Sequence, residues 1–302
     1  MELPQLTHRY ADLADVRLHL VEAGNGPLVI LLHGFPEFWY SWRHQMPALA
    51  NAGFHAVAPD QRGYNRSDKP AGVRAYSLKA LTQDVANLIR DCGAERAVVV
   101  GHDWGAVVAW HFAMRYPQML ERLVIMNVPH PQRFLRGLRT LRQLRKSWYM
   151  FFFQLPWLPE ASIRAGHFAT LRRVFRNDPV RPESFSAEDI ARYMEAAAQP
   201  GALTAAINYY RAAFRPAGAQ AQRGFQRIDA PVLVIWGERD RYLGSELAEP
   251  DRRLVPNVRV ERLPDASHWV QLDQPERVNA LLLDFLAERA APAPPDAHAP
   301  SE

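Results

Sequence analysis

Gly101-His102-Asp103-Trp104-Gly105 follows the apolar run Ala97 to Val100 and precedes the helical pattern Ala106 to Arg115. An acid framed by two glycines at a strand–helix junction matches a nucleophile elbow. The small residues permit a sharp turn. That turn lifts the middle side chain to the sheet edge, beside a helix N-terminus that favours negative charge. A plain N-cap aspartate is the bland alternative. It has no use for the two glycines, so the elbow is the better reading.

Working outward, the same rhythm recurs. Val16 to Val21 alternates and ends at the turn Gly24-Asn25-Gly26-Pro27. Leu28 to Leu32, Phe54 to Ala58 and Leu123 to Met126 are short apolar runs stopping at His33-Gly34, Pro59-Asp60 and Asn127. Near-continuous runs of this length predict strands buried on both faces of a parallel sheet. Ser77 to Asp91 has helical spacing, and the alternation predicts an open α/β sheet, mostly parallel, flanked by helices. From about Pro129 to Arg227 only helical patterns and proline-rich joints appear. Val232 to Trp236 and Val258 to Leu263 restore the strands, and Gln274 to Arg289 closes with a helix. The organisation predicted is a core of residues 1–128 and 228–289, an inserted helical cap (a lid) over 129–227, and a disordered Ala/Pro-rich tail over 290–302.

Composition excludes several classes. The 302 residues include one cysteine, Cys92, so no intramolecular disulfide forms. No leader pattern opens the chain and no apolar stretch reaches membrane-spanning length, which reads as a cytoplasmic protein. The net charge of +4 is nearly all arginine, with Lys69, Lys79 and Lys146 the only lysines. Arg133, Arg136, Arg139, Arg142 and Arg145 recur every third residue, interleaved with Leu135, Leu138, Leu141 and Leu144. A period of three drifts around a 3.6-residue helix, so the series is taken as a solvated lid face. Neither nucleic acid nor membrane is expected as a partner. The chain carries no Cys/His cluster and no phosphate-binding loop, so neither metal nor organic cofactor is expected.

Aspartate at the elbow tip sets the chemistry. A carboxylate attacking an sp³ carbon gives an ester, which water can cleave. A serine would give an ether and stop. The residue type therefore points to alkyl electrophiles, either epoxides or alkyl halides. Cleaving the ester needs a base and a group to orient it. His268, in Asp-Ala-Ser-His-Trp after the last strand, and Asp240, in Trp-Gly-Glu-Arg-Asp after the one before, are the candidates. Asn127 follows the strand after the elbow but carries no carboxylate. The backbone N–H groups of Phe35 and Trp104 are the candidate oxyanion hole.

These residues resemble the α/β-hydrolase-fold epoxide hydrolases, over roughly Leu6 to Ala287. The likeness rests on HGFPEFWYSWR (His33 to Arg43), GHDWG, the stretch Asp60 to Ser67, WGERD and the ASHW loop. It implies two cap tyrosines that grip the epoxide oxygen and bind substrate alongside Phe35 and Trp104. Tyr149 lies in Ser147 to Gln154, and Tyr210 in Asn208-Tyr209-Tyr210-Arg211, with Tyr209 the ready source of misassignment. It also implies a cis Phe35–Pro36 bond, and Asn65 stands where relatives usually carry Gly. The expected partners are a small apolar epoxide and water, the aromatic cap (Trp148, Phe151, Phe152, Phe153, Trp157) supplying the apolar surface, in a monomer or homodimer. Haloalkane and haloacid dehalogenases share the aspartate, but haloalkane dehalogenases usually carry Asn at the position of Phe35. A non-catalytic binding protein of the same fold would lack part of the triad.

Overall fold

A computed structural model describes residues 5–215 and 224–288, so the expected tail over 290–302 lies outside the described residues. Strands β1 (Thr7–Asp12), β2 (Arg17–Ala23), β3 (Leu28–Leu32), β4 (His55–Pro59), β5 (Ala97–His102), β6 (Leu120–Met126), β7 (Val232–Gly237) and β8 (Val258–Leu263) form one sheet. Its order is β1-β2-β4-β3-β5-β6-β7-β8. The β1–β2 and β2–β4 pairs are antiparallel, and every other pair is parallel.

Strands β3, β5 and β7 are buried along their whole length, which is why they read as unbroken apolar runs. Their side chains alternate between two cores. Ile30 and Leu32 pack on one face, Val29 and Leu31 on the other. Strand β1, which the sequence reading missed, is an edge strand with only Ala11 buried, so it carries no apolar run.

Helices α1 (Gln45–Asn51), α2 (Leu78–Asp91) and α3 (Trp104–Arg115) alternate with the strands. In α2 the Ser77 hydroxyl caps the helix by accepting from Ala80 N–H, and Leu81, Val85, Leu88 and Ile89 turn inward. Between β6 and β7 the described elements are all helical. They are α4 (Pro131–Gly137), α5 (Leu141–Lys146), α6 (Trp148–Phe152), α7 (Leu158–Asn177), α8 (Ala187–Ala198) and α9 (Ala202–Ala213), with α7 interrupted by non-helical backbone at Ala165 to Phe168. After β8 come α10 (Val270–Asp273) and α11 (Pro275–Ala287), whose Val278, Leu281, Leu282 and Phe285 close the second core. The sheet with a helical insertion matches the sequence expectation. The Arg/Leu series does not lie on one helix, because α4 ends before α5 begins.

The elbow falls between β5 and α3. Asp103 holds φ 49° and ψ −123°, a backbone region that ordinary side chains rarely enter. The turn survives because the neighbouring strand can press against it. A Cβ at Gly105 would collide with the carbonyl oxygens of Leu32 and His33, and both contacts are backbone. Gly105→Ala is therefore expected to lower unfolding free energy by about 3 kcal/mol or more, or to prevent folding. Urea unfolding would check this, and a loss below about 1 kcal/mol would contradict so close an approach.

Candidate active site

The parallel strands deliver the expected residues, and Asn127 with them, to one end of the sheet. Phe35 follows β3, Asp103 follows β5, Asn127 follows β6, Asp240 follows β7 and His268 follows β8. Ligands in open α/β sheets bind at this carboxyl end.

Asp103, His268 and Asp240 come together as a chain of contacts. His268 Nδ1 lies 2.7 Å from Asp240 Oδ2, and Nε2 lies 3.4 Å from Asp103 Oδ2. The other Asp103 oxygen accepts from Phe35 N–H at 2.6 Å. That approach requires Gly34, where a Cβ would collide with the Asp103 side chain. Among the described residues, Trp104 N–H makes no bond to Asp103 here, so one of the two expected donors is engaged. The Phe35–Pro36 bond is cis, and Asn65 takes the left-handed φ of 40° while its amide donates to Asp60 at 2.8 Å.

Several supporting groups escaped the sequence reading. Asn127, set aside there as no carboxylate, holds the acid: its Nδ2 donates to Asp240 Oδ2 at 2.9 Å, and its Oδ1 accepts from Gly237 N–H. Tyr242 and Leu243 N–H groups donate to Asp240 Oδ1 at 2.6 and 2.9 Å. Lys146 reaches the Asp240 carbonyl at 2.7 Å. His102, inside the elbow, bridges two loops. Its Nε2 donates to the His268 carbonyl at 2.8 Å, since a carbonyl can only accept, and its Nδ1 lies 2.9 Å from Glu37 Oε2. Glu37 in turn accepts from Gly34 N–H at 3.1 Å. The position of Glu37 in HGFPE and of His102 in GHDWG was the only available signal.

The cap closes over this edge. Tyr149 and Tyr210 border Asp103 in two cavities that share these three residues. One, of about 280 Å³, is lined by apolar side chains such as Val107, Val128, Phe134 and Leu138. The other, of about 740 Å³, also contains His268, Phe35 and Tyr242. The tyrosine rings meet edge to face with centroids 5.9 Å apart. Tyr209 is directed elsewhere, its hydroxyl donating to the Arg62 carbonyl at 2.7 Å. Of the five cap aromatics expected at the substrate surface, Trp148, Phe152 and Phe153 border the larger cavity. Phe151 and Trp157 border neither catalytic cavity and are exposed, because they lie on the outer side of the cap.

Burial opposes charge on all three central groups, and mutual attraction overcomes it. Burial would depress His268, but the Asp240 carboxylate and Asp103 push its pKa up to about 10. Burial would raise Asp103, yet His268, His102 and the Phe35 N–H hold it below the usual carboxylate range. Asp240 is held low against burial by His268 and Asn127. Tyr149 and Tyr210 are raised, first by burial and then by Asp103, so both remain hydroxyl donors.

Comparison with known proteins agrees with this fold. The family model described as "alpha/beta hydrolase fold" matches residues 27–275. The chain is 43% identical to the AB hydrolase superfamily protein YfhM of Bacillus subtilis, covering 92% of this chain and 97% of that one. It is 39% identical to human epoxide hydrolase 4, covering 93% of this chain and 79% of the relative. The crystal structure of Bacillus megaterium epoxide hydrolase in complex with an inhibitor superposes with a TM-score of 0.86 at 34% identity, over 93% of this chain and 100% of that one.

The raised His268 pKa fixes a pH dependence. The folded state binds this proton more tightly than the unfolded chain, so the stabilisation is complete below about pH 6.5 and fades as pH rises through about 10. His268→Gln should therefore cost most stability near about pH 6 and progressively less toward about pH 10. Paired urea titrations across that range would show it, and a constant difference would contradict the charged pairing.

Proposed function

The chain belongs to the α/β-hydrolase fold family, and from that premise we propose that it adds water to epoxides, giving vicinal diols through an ester on Asp103. One observation carries this reading. The elbow tip presents a carboxylate rather than a hydroxyl, and it faces cavities that Tyr149 and Tyr210 also line.

In this mechanism Tyr149 and Tyr210 hydrogen-bond the epoxide oxygen while Asp103 attacks a ring carbon from the opposite side. The ring C–O bond breaks and the new C–O bond makes a hydroxyalkyl ester. The departing alkoxide needs one proton, and the His268 imidazolium beside Asp103 is its source. Alkylation also removes the Asp103 charge, one of the two carboxylates that hold the proton on His268. His268 thus enters the second step as a neutral base, oriented by Asp240. It takes a proton from water, which attacks the carboxyl carbon of Asp103. Phe35 and Trp104 N–H groups hold the oxyanion. The diol oxygen leaves with the proton from His268, and the Asp103 acid returns a proton to His268. Residues 129–227 act as the lid and residues 1–128 with 228–289 as the catalytic core. The apolar lining of the smaller cavity fits a small apolar epoxide as substrate.

A halide leaves without a proton, so a dehalogenase has no need of two hydroxyl donors. That feature favours the epoxide. A protein that only binds ligand has no need of a complete triad.

Intact-protein mass measurement with styrene oxide tests the assignment. His268→Gln is expected to accumulate protein heavier by one substrate, because ester forms but is not cleaved. Asp103→Ala should gain no mass. The Tyr149→Phe/Tyr210→Phe protein should form no adduct and turn over slower by about three orders of magnitude. An inactive His268→Gln protein without adduct would remove His268 from the second step. An unaffected double variant would remove the cap from the chemistry.

A further inference from the structure

The large apolar side chains that face solvent are not scattered. Among the described residues, all but Tyr10 lie on the cap, between Leu141 and Phe214. Leu141 is 72% exposed, Trp148 62% and Trp157 73%. Leu141 and Leu144 are three apart in α5, and Trp148 and Phe151 three apart in α6, so each pair shares a helix face. Phe151 packs edge to face on Phe214, with centroids 5.5 Å apart, joining α6 to the end of α9. A concentration of this kind marks an interaction surface, where single exposed leucines would mean nothing.

Charge accompanies it. Between Glu121 and Glu160 the chain has no Asp or Glu, and after β6 this stretch carries Arg133, Arg136, Arg139, Arg142, Arg145 and Lys146. Arg136, Arg139, Arg142 and Arg145 are exposed. Arg142 has a distant partner in Glu246 at 3.5 Å, while Arg139 and Arg145 pair with no carboxylate among the described residues. The sequence reading took the arginine series for a solvated face whose leucines drift away. In the structure Leu141 and Leu144 stay outside with the arginines. The patch also borders the site: Arg145 and Trp148 line the larger cavity, and Phe214 lines the smaller.

We propose that this cap face docks reversibly on an anionic phospholipid surface. The tryptophan, leucine and phenylalanine side chains reach the acyl boundary, and the arginines meet phosphate headgroups. A second copy using the same face would set arginines against arginines, which a self-complementary interface disfavours. Docking brings the rims of both cavities against the apolar phase, the reservoir of a poorly water-soluble ligand. The proposal replaces the expectation of no membrane contact. It concerns surface attachment, since no described helix is long and apolar enough to cross a bilayer.

The test uses the purified full chain with vesicles of phosphatidylcholine, alone or with about one third phosphatidylglycerol, read by co-sedimentation. Binding to the anionic vesicles is expected at about 0.05 M salt, and at least about tenfold weaker binding at about 0.5 M salt or on phosphatidylcholine alone. Arg139→Gln/Arg142→Gln should weaken binding about twentyfold. Leu141→Ser/Phe151→Ser should lose it while keeping the wild-type thermal midpoint, which separates lost docking from lost folding. Absence of wild-type binding to both vesicles overturns the proposal, as does unchanged binding by the Leu141→Ser/Phe151→Ser protein. A wild-type dimer that this variant dissociates, with no vesicle binding, assigns the face to a second copy and overturns it as well. None of these readings depends on epoxide turnover, so they stand apart from the catalytic proposal.

Discussion

A protonated imidazole held between the buried Asp240 and the half-buried Asp103 is the constraint on which this structure turns. His268 lies against Asp240 on one side and, where the cavity begins, Asp103 on the other. An unpaired carboxylate at the depth of Asp240 would cost several kcal/mol, and a buried imidazolium as much. Together the three groups hold one excess negative charge, which the Phe35, Tyr242 and Leu243 N–H groups and the Asn127 amide help to neutralise. Charge balance therefore requires that all three side chains arrive together. The loops that carry them follow three separate strands, so the sheet has to be formed before the site can exist.

The same constraint links the resting state to the proposed chemistry. A group held charged by its neighbours changes character when one neighbour loses its charge. In the proposed mechanism, esterification of Asp103 does that to His268. The surrounding network keeps the geometry fixed meanwhile. His102 ties the elbow to the His268 loop and, through Glu37, to the loop bearing Phe35. Asp103 pays in backbone strain for its position at the tip, and the close contacts at Gly34 and Gly105 show how little space remains around it.

Much of this was legible in the residues because it depends on local pattern. Buried parallel strands show as apolar runs, and a sharp turn between strand and helix shows as paired glycines. Asp240 and His268 were found because each sits just after a strand. What stayed hidden acts across space. Asn127 carries no acid, so nothing in the chain says that it holds one 113 residues away. Lys146 reaches the acid loop from the cap, and His102 reads as filler inside a motif. Tyr209 and Tyr210 are neighbours in sequence but about 100° apart around their helix, so only the fold shows which one faces Asp103. The outer cap was read only in part for a similar reason. Periodicity placed the arginines in solvent but gave no hint that α4 and α5 are separate helices and that leucines stay outside with them.

The most direct measurement is the fate of solvent oxygen in one turnover. With enzyme in excess over epoxide in ¹⁸O-water, the covalent route places the heavy atom in the Asp103 carboxylate. The first diol then carries only ordinary oxygen, one atom from the epoxide and one from Asp103. Heavy oxygen in that first diol, with none in the peptide containing Asp103, would mean that water attacks the ring directly.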